Sequence, residues 1–357
     1  MKLKQWHLSP QKTSNQRNLG KLPILILYIV LSTFLTNTGV KAINITQQIH
    51  RPLNSSMLKQ WRNLADKLFK QSKQQLAQYL PEKALKSALQ ALEIYHHLGD
   101  LKAQNSTYDL LANTYLQLND IKSAEASVRR QLAISRDNQD FQNQIFALNN
   151  LGSIFIEKGE NIAAQNTIEQ ALVIARNVTS IEGQGLSLSN LSLISLRRGD
   201  YNKAIKIGEY ALTFRRQLND TIGEANTLNN LGDAYLAIGD YQNTIASYGA
   251  AMQLAKSSFE RPNQLRAIDG LVTAHAAVGR YNRALELLAT RAGLTDSGTN
   301  PAEYLKYLAI SGELYEKMGD LAKAKDLYSR AISLAQKLED SKQQTLLVNR
   351  LNKLKAR

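Results

Sequence analysis

A pattern that returns every forty residues constrains the fold of this 357-residue chain more than any other feature. The pair Gly239-Asp240 is echoed at that spacing by Asn119-Asp120, Gly159-Glu160, Gly199-Asp200, Gly279-Arg280 and Gly319-Asp320. Leu231 recurs as Leu111, Leu151, Leu191 and Leu271. A fixed period of this length indicates an array of stacked structural repeats. Because such an array grows in one dimension, the chain length does not imply several globular domains.

Two sets of helix-ending and helix-capping residues, the two sets of punctuation, divide each unit into two helices of about 17–18 residues. At the first set, a glycine or Asn119 ends one helix in the left-handed conformation, and the acid that follows is expected to cap the next helix. At the second set the expected caps are Asp100, Asp140, Ser180, Asp220, Asn300 and Asp340. Glu260 breaks this second series, and Pro262 is expected to start the helix there.

Apolar residues recur between these points with helical spacing. Two neighbouring stripes are Ala204, Ile205, Gly208, Ala211, Leu212 and Leu218, and Ile222, Ala225, Leu228, Leu231, Tyr235 and Ile238. Each helix therefore has one wide apolar face that neighbours on both sides of the stack must cover. The sequence predicts an all-α array of helical hairpins.

Seven units account for most of the chain. They span residues 60–99, 100–139, 140–179, 180–219, 220–259, 260–299 and 300–339. Residues 43–59 are interpreted as a linker and the start of the first helix. Residues 340–357 form a basic amphipathic pattern that is expected to cap the last apolar face, as a solenoid requires. The alternative for this segment is a helix that binds a membrane surface or a partner.

The first 42 residues have the layout of an export signal. Five basic residues precede an apolar run over 22–35, and Val40 and Ala42 stand at the −3 and −1 places of a cleavage site. Cleavage would leave Ile43 as the N-terminus and the protein in a periplasm, a thylakoid lumen or the extracellular space. The alternatives are an uncleaved anchor, since residues 22–40 nearly reach the ~20 that a bilayer requires, and a fortuitous apolar start.

The net charge of +14 lies outside the repeats. Residues 1–63 hold nine basic residues and 341–357 hold five, and neither range contains an acid, so the repeat body is electrically balanced. A basic surface that follows a nucleic acid is therefore not expected.

The sequence offers no set of residues suited to catalysis. There is no cysteine, so a disulfide, a thiolate metal site and a cysteine nucleophile are excluded. His96 and His97 are helical neighbours that point about 100° apart and cannot chelate one ion together. No H-E-x-x-H, G-x-S-x-G, P-loop or G-x-G-x-x-G motif occurs. We predict a protein that is not an enzyme, with no cofactor, no metal and no small-molecule substrate.

The repeated residues resemble the tetratricopeptide repeat. Beside the recurring leucine stand Ala112, Gly152, Ser192, Gly232 and Gly312, and four residues after it stand Tyr115, Phe155, Tyr235 and Tyr315. The second helix repeats alanine in two series, Ala84, Ala124, Ala164, Ala204, Ala284 and Ala324, and Ala91, Ala171, Ala211, Ala251 and Ala331. The resemblance implies a right-handed superhelical solenoid of about seven hairpins. The forty-residue period is longer than the usual 34 and is similar to that of kinesin light chains and of exported cyanobacterial proteins.

The sixth unit departs from this pattern at Gly270, Val272, His275 and Arg291. We expect His275 to be a packed, hydrogen-bonded core residue. Residues 292–300 are rich in glycine, serine and threonine, which predicts a shortened second helix, an eight-residue loop and a soft point in the superhelix.

The resemblance implies that the first helices of the hairpins line a concave groove that binds protein segments. The residues expected to project there are Asn113, Asn149, Asn150, Ser153, Ser189, Asn190, Asn229, Asn230, Asp233, Asp269 and Thr273. An asparagine amide both donates and accepts, so it can hold the backbone of an extended peptide. Alternatively, these asparagines bond neighbouring repeats to one another. Because the family's basic carboxylate clamp is absent, chaperone C-termini are not the expected partners.

The hypothesis is therefore an exported, non-catalytic scaffold that binds a peptide segment of a partner protein. Two other classes stay open. One is a membrane-anchored assembly factor for an envelope or thylakoid complex, and the other is an intracellular signalling regulator.

Overall fold

The computed structural model describes residues 55–295 and 300–355, and all regular structure there is helical. The hairpins are α1 (Ser55–Ala77) with α2 (Pro81–His97), α3 (Leu101–Gln117) with α4 (Ile121–Asp137), α5 (Phe141–Glu157) with α6 (Asn161–Asn177), α7 (Ile181–Arg197) with α8 (Tyr201–Gln217), α9 (Thr221–Ala237) with α10 (Tyr241–Ser257), α11 (Arg261–Ala277) with α12 (Tyr281–Leu294), and α13 (Pro301–Met318) with α14 (Leu321–Lys337). A last helix, α15 (Ser341–Lys355), follows. The export signal and linker proposed for residues 1–54 lie outside the described residues.

From α2 onward, every helix packs against the next one along the chain. The helix α1 packs on α2 through Ala65, Ala91 and Tyr95. In addition, the consecutive first helices α5, α7, α9 and α11 pack directly on one another, and no comparable packing joins consecutive second helices in the described part of the array. The first helices therefore lie on the inside of the curve. We call the surface that they form the inner face.

Residues in the left-handed conformation end the helices at both sets of punctuation. The expected ones are Asn119, Gly159, Gly199, Gly239, Gly279 and Gly319. The second set was not expected to do so, yet its residues before the cap also have positive φ, namely Gln139, Thr179, Asn219, Phe259 and Glu339. An amide just beyond the helix bonds back into its last turn, as Asp240 N, three places after the last residue of α9, does to Tyr235 O at 2.9 Å. The same hydrogen bond ends a helix about every twenty residues, whether the residue with positive φ is a glycine or not.

Most predicted caps are confirmed, and three expectations were wrong. The Asp140 carboxylate accepts a hydrogen bond from the Asn143 N–H at 3.0 Å, as a capping residue should. Glu160 and Asp200 were expected to cap α6 and α8, but neither side chain makes a capping bond. Glu260 was expected to break the series, yet its carboxylate reaches the Asn263 N–H and caps α11. The longer glutamate side chain can still reach an N–H of the first turn.

The two alanine series of the second helices are fully buried at the hairpin interfaces. Glycines beside the repeated leucine accommodate larger residues from the second helix. A Cβ at Gly152 would lie 2.3 Å from Ile168 Cγ1, and one at Gly232 would lie 2.7 Å from the Tyr248 ring. Small residues at these places are therefore required by close packing.

The second alanine series is broken in two repeats, where Gln131 and Arg291 take its place. Both side chains are nevertheless buried. Each is a long polar side chain that needs a partner, and each finds a carboxylate on the inner face, as described below.

The C-terminal part of the array departs from the regular repeat. The shortened second helix of the sixth repeat is confirmed, since α12 has 14 residues where the other second helices have 17. It continues to Leu294, so the predicted eight-residue loop was too long; residues 296–299 lie outside the described residues. The helix α15 packs on α14 and buries Leu347 and Leu354, as a capping helix does.

Candidate functional site

Asn149 ties neighbouring repeats together on the inner face. Its amide donates to the Ser187 hydroxyl of α7 at 2.9 Å and to the Ile145 carbonyl of its own helix. Its oxygen accepts from the Asn190 amide at 3.0 Å. Only 1% of Asn149 is exposed. The side chain thus makes bonds between repeats, which is one of the two roles that the sequence left open.

Three more asparagines of the predicted site also bond across repeats. Asn150 donates to Asp109 of α3 at 3.0 Å. Asn229 is buried and donates to the Asn263 carbonyl of α11 at 3.1 Å. Asn230 accepts from Arg266 at 2.8 Å. Contact of these residues with a peptide stays a prediction.

The remaining predicted residues vary in exposure. Ser153 is half-buried and its hydroxyl donates to the Asn149 carbonyl. Asp233 accepts hydrogen bonds from Tyr248 and Arg266. Thr273 is exposed, although its hydroxyl donates to the Asp269 carbonyl, and Asn113 is exposed. Asn113 is the predicted residue with the freest access to a ligand.

An open cavity of about 830 Å³ lies on the inner face between α1, α3 and α5. Its lining residues are Phe69, Lys73, Leu76, Ala77, Ser106, Asp109, Leu110, Asn113, Gln117, Gln131, Asn143, Phe146 and Asn150. The cavity thus brings together two of the predicted residues, Asn113 and Asn150. Asn149 and Ser153 lie on α5 but do not line the cavity, and the remaining predicted residues lie further along the array.

Side-chain size explains why the cavity forms there. The helix α7 carries Gly183, Gly185, Ser187 and Ser189, and these small residues let it approach α5 and α9 closely. A Cβ at Gly183 would lie 2.9 Å from Ile145 Cγ2. No comparable packing joins α3 to α5 among the described helices. The larger side chains there keep the first helices apart, and the space between the helices is the cavity.

Asp109 is the carboxylate in this cavity. Burial raises its pKa, against the lowering effect of hydrogen bonds from Asn150 and Gln131 and of the Lys73 charge. No ion pair to Asp109 occurs within the described residues. The site therefore holds a partly desolvated anion surrounded by neutral amides, in a cavity with the apolar surfaces of Phe69 and Phe146.

The C-terminal half of the inner face is different, because its charges are paired. Arg266 contacts Asp233, and Lys306 lies 3.0 Å from Asp269. Arg350 of α15 lies 2.9 Å from Glu313. Asp269, which the sequence placed in the groove, is thus engaged within the protein.

Sequence reasoning missed Asp109, Gln131 and the two phenylalanines of the cavity. One signal was available for Gln131. It stands at a position where five other repeats carry alanine. A large polar residue at such a buried position needs a polar partner nearby.

His275 is buried as expected, but it is not hydrogen-bonded as expected. It is 8% exposed and its Nδ1 has no hydrogen-bond partner among the described residues. Burial lowers the pKa of His275, and the charges of Arg280 and Arg283 add to this. The imidazole fills the place that an aromatic ring takes in other repeats.

The described residues contain neither a metal-binding cluster nor a helix suited to crossing a membrane. No group of three histidine, aspartate or glutamate side chains there could hold a metal ion. Of the helices between residues 55 and 355, excluding 296–299, none is both long and apolar enough to cross a membrane.

Family comparisons agree with this architecture. Models described as tetratricopeptide repeat match residues 223–291, and residues 106–138 and 305–338. The chain therefore contains tetratricopeptide repeats. A comparison with curated protein sequences gave no match.

Solved structures of this repeat class have the same fold as the tetratricopeptide array described here. A Rap protein complexed with competence and sporulation factor is 14% identical, with a TM-score of 0.54 over 85% of this chain and 98% of that one. The apo form of RapI is also 14% identical, with a TM-score of 0.53 over 78% and 99%.

A third structure is a signal transduction ATPase with a tetratricopeptide repeat sensor from Pyrococcus horikoshii. It is 16% identical, with a TM-score of 0.54. The match covers 81% of this chain and 48% of the ATPase, so it concerns about half of that protein. At these identities the likeness concerns the fold alone.

Proposed function

We propose that this tetratricopeptide-repeat protein is a non-catalytic scaffold that binds an extended segment of another protein along its inner face. The observation that carries the proposal is the cavity between α1, α3 and α5, which is open and lined by amide side chains and apolar surface. Amides can pair with the N–H and C=O groups of a peptide backbone whatever its sequence. The Rap protein complexed with competence and sporulation factor offers a precedent for ligand binding by this fold.

The cavity is a better binding candidate than the rest of the inner face. Asn149, Asn229 and Asn230 are buried and bonded to neighbouring repeats. A ligand would have to break those bonds to reach their amides, whereas Asn113 lies exposed in the cavity wall.

A cavity-filling substitution tests the proposal. Peptides are selected from a random library displayed against the intact protein, and their affinities are measured by calorimetry for the wild type and for Asn113→Trp. The control is Val173→Trp on α6, where the side chain is 54% exposed and lies away from the cavity. We expect Asn113→Trp to abolish binding and Val173→Trp to preserve it. Equal binding by both variants would contradict the proposed site.

We further propose that the protein is exported, on the strength of residues 1–42 alone. The test is the mass and N-terminal sequence of the protein from fractionated cells. A soluble envelope species that begins at Ile43 is the expected result. An intact species in the membrane fraction would favour the membrane-anchored assembly factor, and an intact soluble species would favour the intracellular signalling regulator.

A further inference from the structure

Asp109 and Asp269 occupy the same place in their repeats, four periods of forty residues apart. At Asp269 the protein supplies two cations. Arg291 Nε lies 2.5 Å from Asp269 Oδ1, and Lys306 Nζ lies 3.0 Å from its Oδ2. The sixth and seventh repeats therefore show what this carboxylate position accepts when it is filled from within the chain.

The equivalent positions around Asp109 carry no charge. Gln131 stands where Arg291 stands, and Phe146 stands where Lys306 stands. Among the described residues, the carboxylate keeps only hydrogen bonds from neutral amides, including that of Asn150 at 3.0 Å. The place that the two cations occupy in the later repeats opens here into the 830 Å³ cavity.

The nearest cation does not replace them. Lys73 lines the same cavity and lowers the pKa of Asp109 through its charge, but it forms no ion pair with it. Its Nζ lies over the Phe69 ring, 6.0 Å from the centroid, and the residue is exposed to solvent. Asp109 thus remains available to a cation from outside.

We infer that the cavity binds a basic side chain of the peptide partner, with its cationic group on Asp109 in the position that Arg291 and Lys306 fill at Asp269. This inference rests on the proposed function, because it assigns the chemistry of the peptide that the inner face binds. It names one subsite, for arginine or lysine.

The walls of the cavity suit such a side chain. Its aliphatic part can lie along Phe69, Leu76 and Phe146, as the stems of basic side chains do on apolar surface. A guanidinium has five donors, more than one carboxylate needs. Gln131 also lines the cavity, and its Oε1 is buried without a hydrogen-bond partner among the described residues, so a guanidinium that shifts this side chain gains a second acceptor. Arg291 likewise bridges two acceptors, Asp269 and Glu303.

The test uses the peptides selected from the random library against the intact protein. We expect a basic residue to recur at one position of the selected sequences. Replacing it with citrulline, which keeps the shape of arginine and removes its charge, should weaken binding by about 10- to 100-fold, the range expected for a hydrogen bond to a charged group.

Three variants assign this effect to Asp109. In Asp109→Asn the arginine and citrulline peptides should bind alike. Gln131→Arg should rebuild the internal pair of the sixth repeat and reduce binding of the arginine peptide to the level of the citrulline peptide. The control is Glu169→Gln on α6, which removes one negative charge outside the cavity and should keep the wild-type preference.

The outcomes separate the inference from the proposed function. If peptides are selected without a recurring basic residue, or if Asp109→Asn keeps the preference for arginine, the inference is overturned while peptide binding stands. If no peptide is selected, the proposed function fails and the inference fails with it. Should Gln131→Arg not fold, as judged by circular dichroism, the comparison of Asp109→Asn with Glu169→Gln decides.

Discussion

The ring of Tyr248 occupies the space that a side chain at Gly270 would need. A Cβ at Gly270 would lie 2.3 Å from Tyr248 Cζ. Position 270 is the place held by Asn150, Asn190 and Asn230 in three earlier repeats. The tyrosine hydroxyl donates to Asp233, so the ring is held in this place. The asparagine series therefore stops at the sixth repeat, because the buried ring of Tyr248 from the fifth repeat fills the space that an asparagine side chain would need.

Two glycine substitutions test this packing. Gly270→Ala should destabilise the protein by about 1–3 kcal/mol, because an extra methyl in a filled interior forces the Tyr248 ring to move. Gly249→Ala is the control, since nothing lies within 4 Å of its Cβ position in the helix α10. It should stabilise by up to about 1 kcal/mol through helix propensity. Urea unfolding measures both, and equal effects of the two would refute the packing argument.

The asparagines of the inner face should differ in their effect on stability. Asn149→Ala removes the side chain that bonds to Ser187 and Asn190 in a buried setting, and should cost about 1–3 kcal/mol. Asn113→Ala, at an exposed place on the same face, should change stability by less than about 0.5 kcal/mol. Chemical denaturation of both variants provides the measurement. A large loss for Asn113→Ala would mean that it too has a structural role.

Arg291 should stabilise the junction of the sixth and seventh repeats. It is 6% exposed and pairs with Asp269 of α11 and Glu303 of α13. Arg291→Gln should cost about 2 kcal/mol, less than for a fully buried pair because both carboxylates keep some exposure to water.

The control for this prediction is Arg283→Gln. Its ion pair with Glu286 lies at the surface, so its loss should change stability by no more than about 0.5 kcal/mol. Thermal unfolding of the two variants decides the matter. Similar melting temperatures would show that the buried network adds no more than a surface pair does.

His275 should make stability depend on pH. Its folded-state pKa is lowered by burial and by the charges of Arg280 and Arg283, so folding favours the neutral imidazole. This contribution is complete above the unfolded-state pKa of about 6.5 and is lost as the pH falls toward the folded-state value.

The variant that isolates this effect is His275→Phe, which restores the aromatic residue found at Phe155. We expect wild type to lose stability relative to the variant when the pH is lowered from about 7.5 to 5. Urea unfolding at several pH values measures the difference. Parallel pH profiles for the two proteins would show that His275 does not titrate with folding.

The hairpins were predictable because one pattern repeats seven times along the chain. The alanines of the two series in the second helices are buried, and the glycines of the Gly-Asp pairs have positive φ, in each repeat that carries them. An atypical residue in one repeat therefore does not change the prediction for the array. The caps show the limit of this reasoning. Glu160 and Glu260 are chemically alike, yet only Glu260 bonds to its helix. That difference depends on side-chain orientation, which a sequence pattern does not contain.

The cavity was not predictable from the consensus, because it arises where the consensus fails. In the sequence, Asp109 is one polar residue on a helix. Only the structure shows that Gln131 and Phe146 lie beside it. These residues come from three different helices. The asparagine series, in contrast, was visible in the sequence, but its burial was not, since burial depends on how closely α5, α7 and α9 approach.

The central claim is that the partner lies on the inner face at the cavity. The most direct test is photo-crosslinking in cells that produce the intact chain, with a benzophenone amino acid at position 113 or, as control, at position 173. We predict that position 113 crosslinks one partner protein through a single extended segment and that position 173 does not. Crosslinking of that partner from position 173, with none from position 113, would contradict the account.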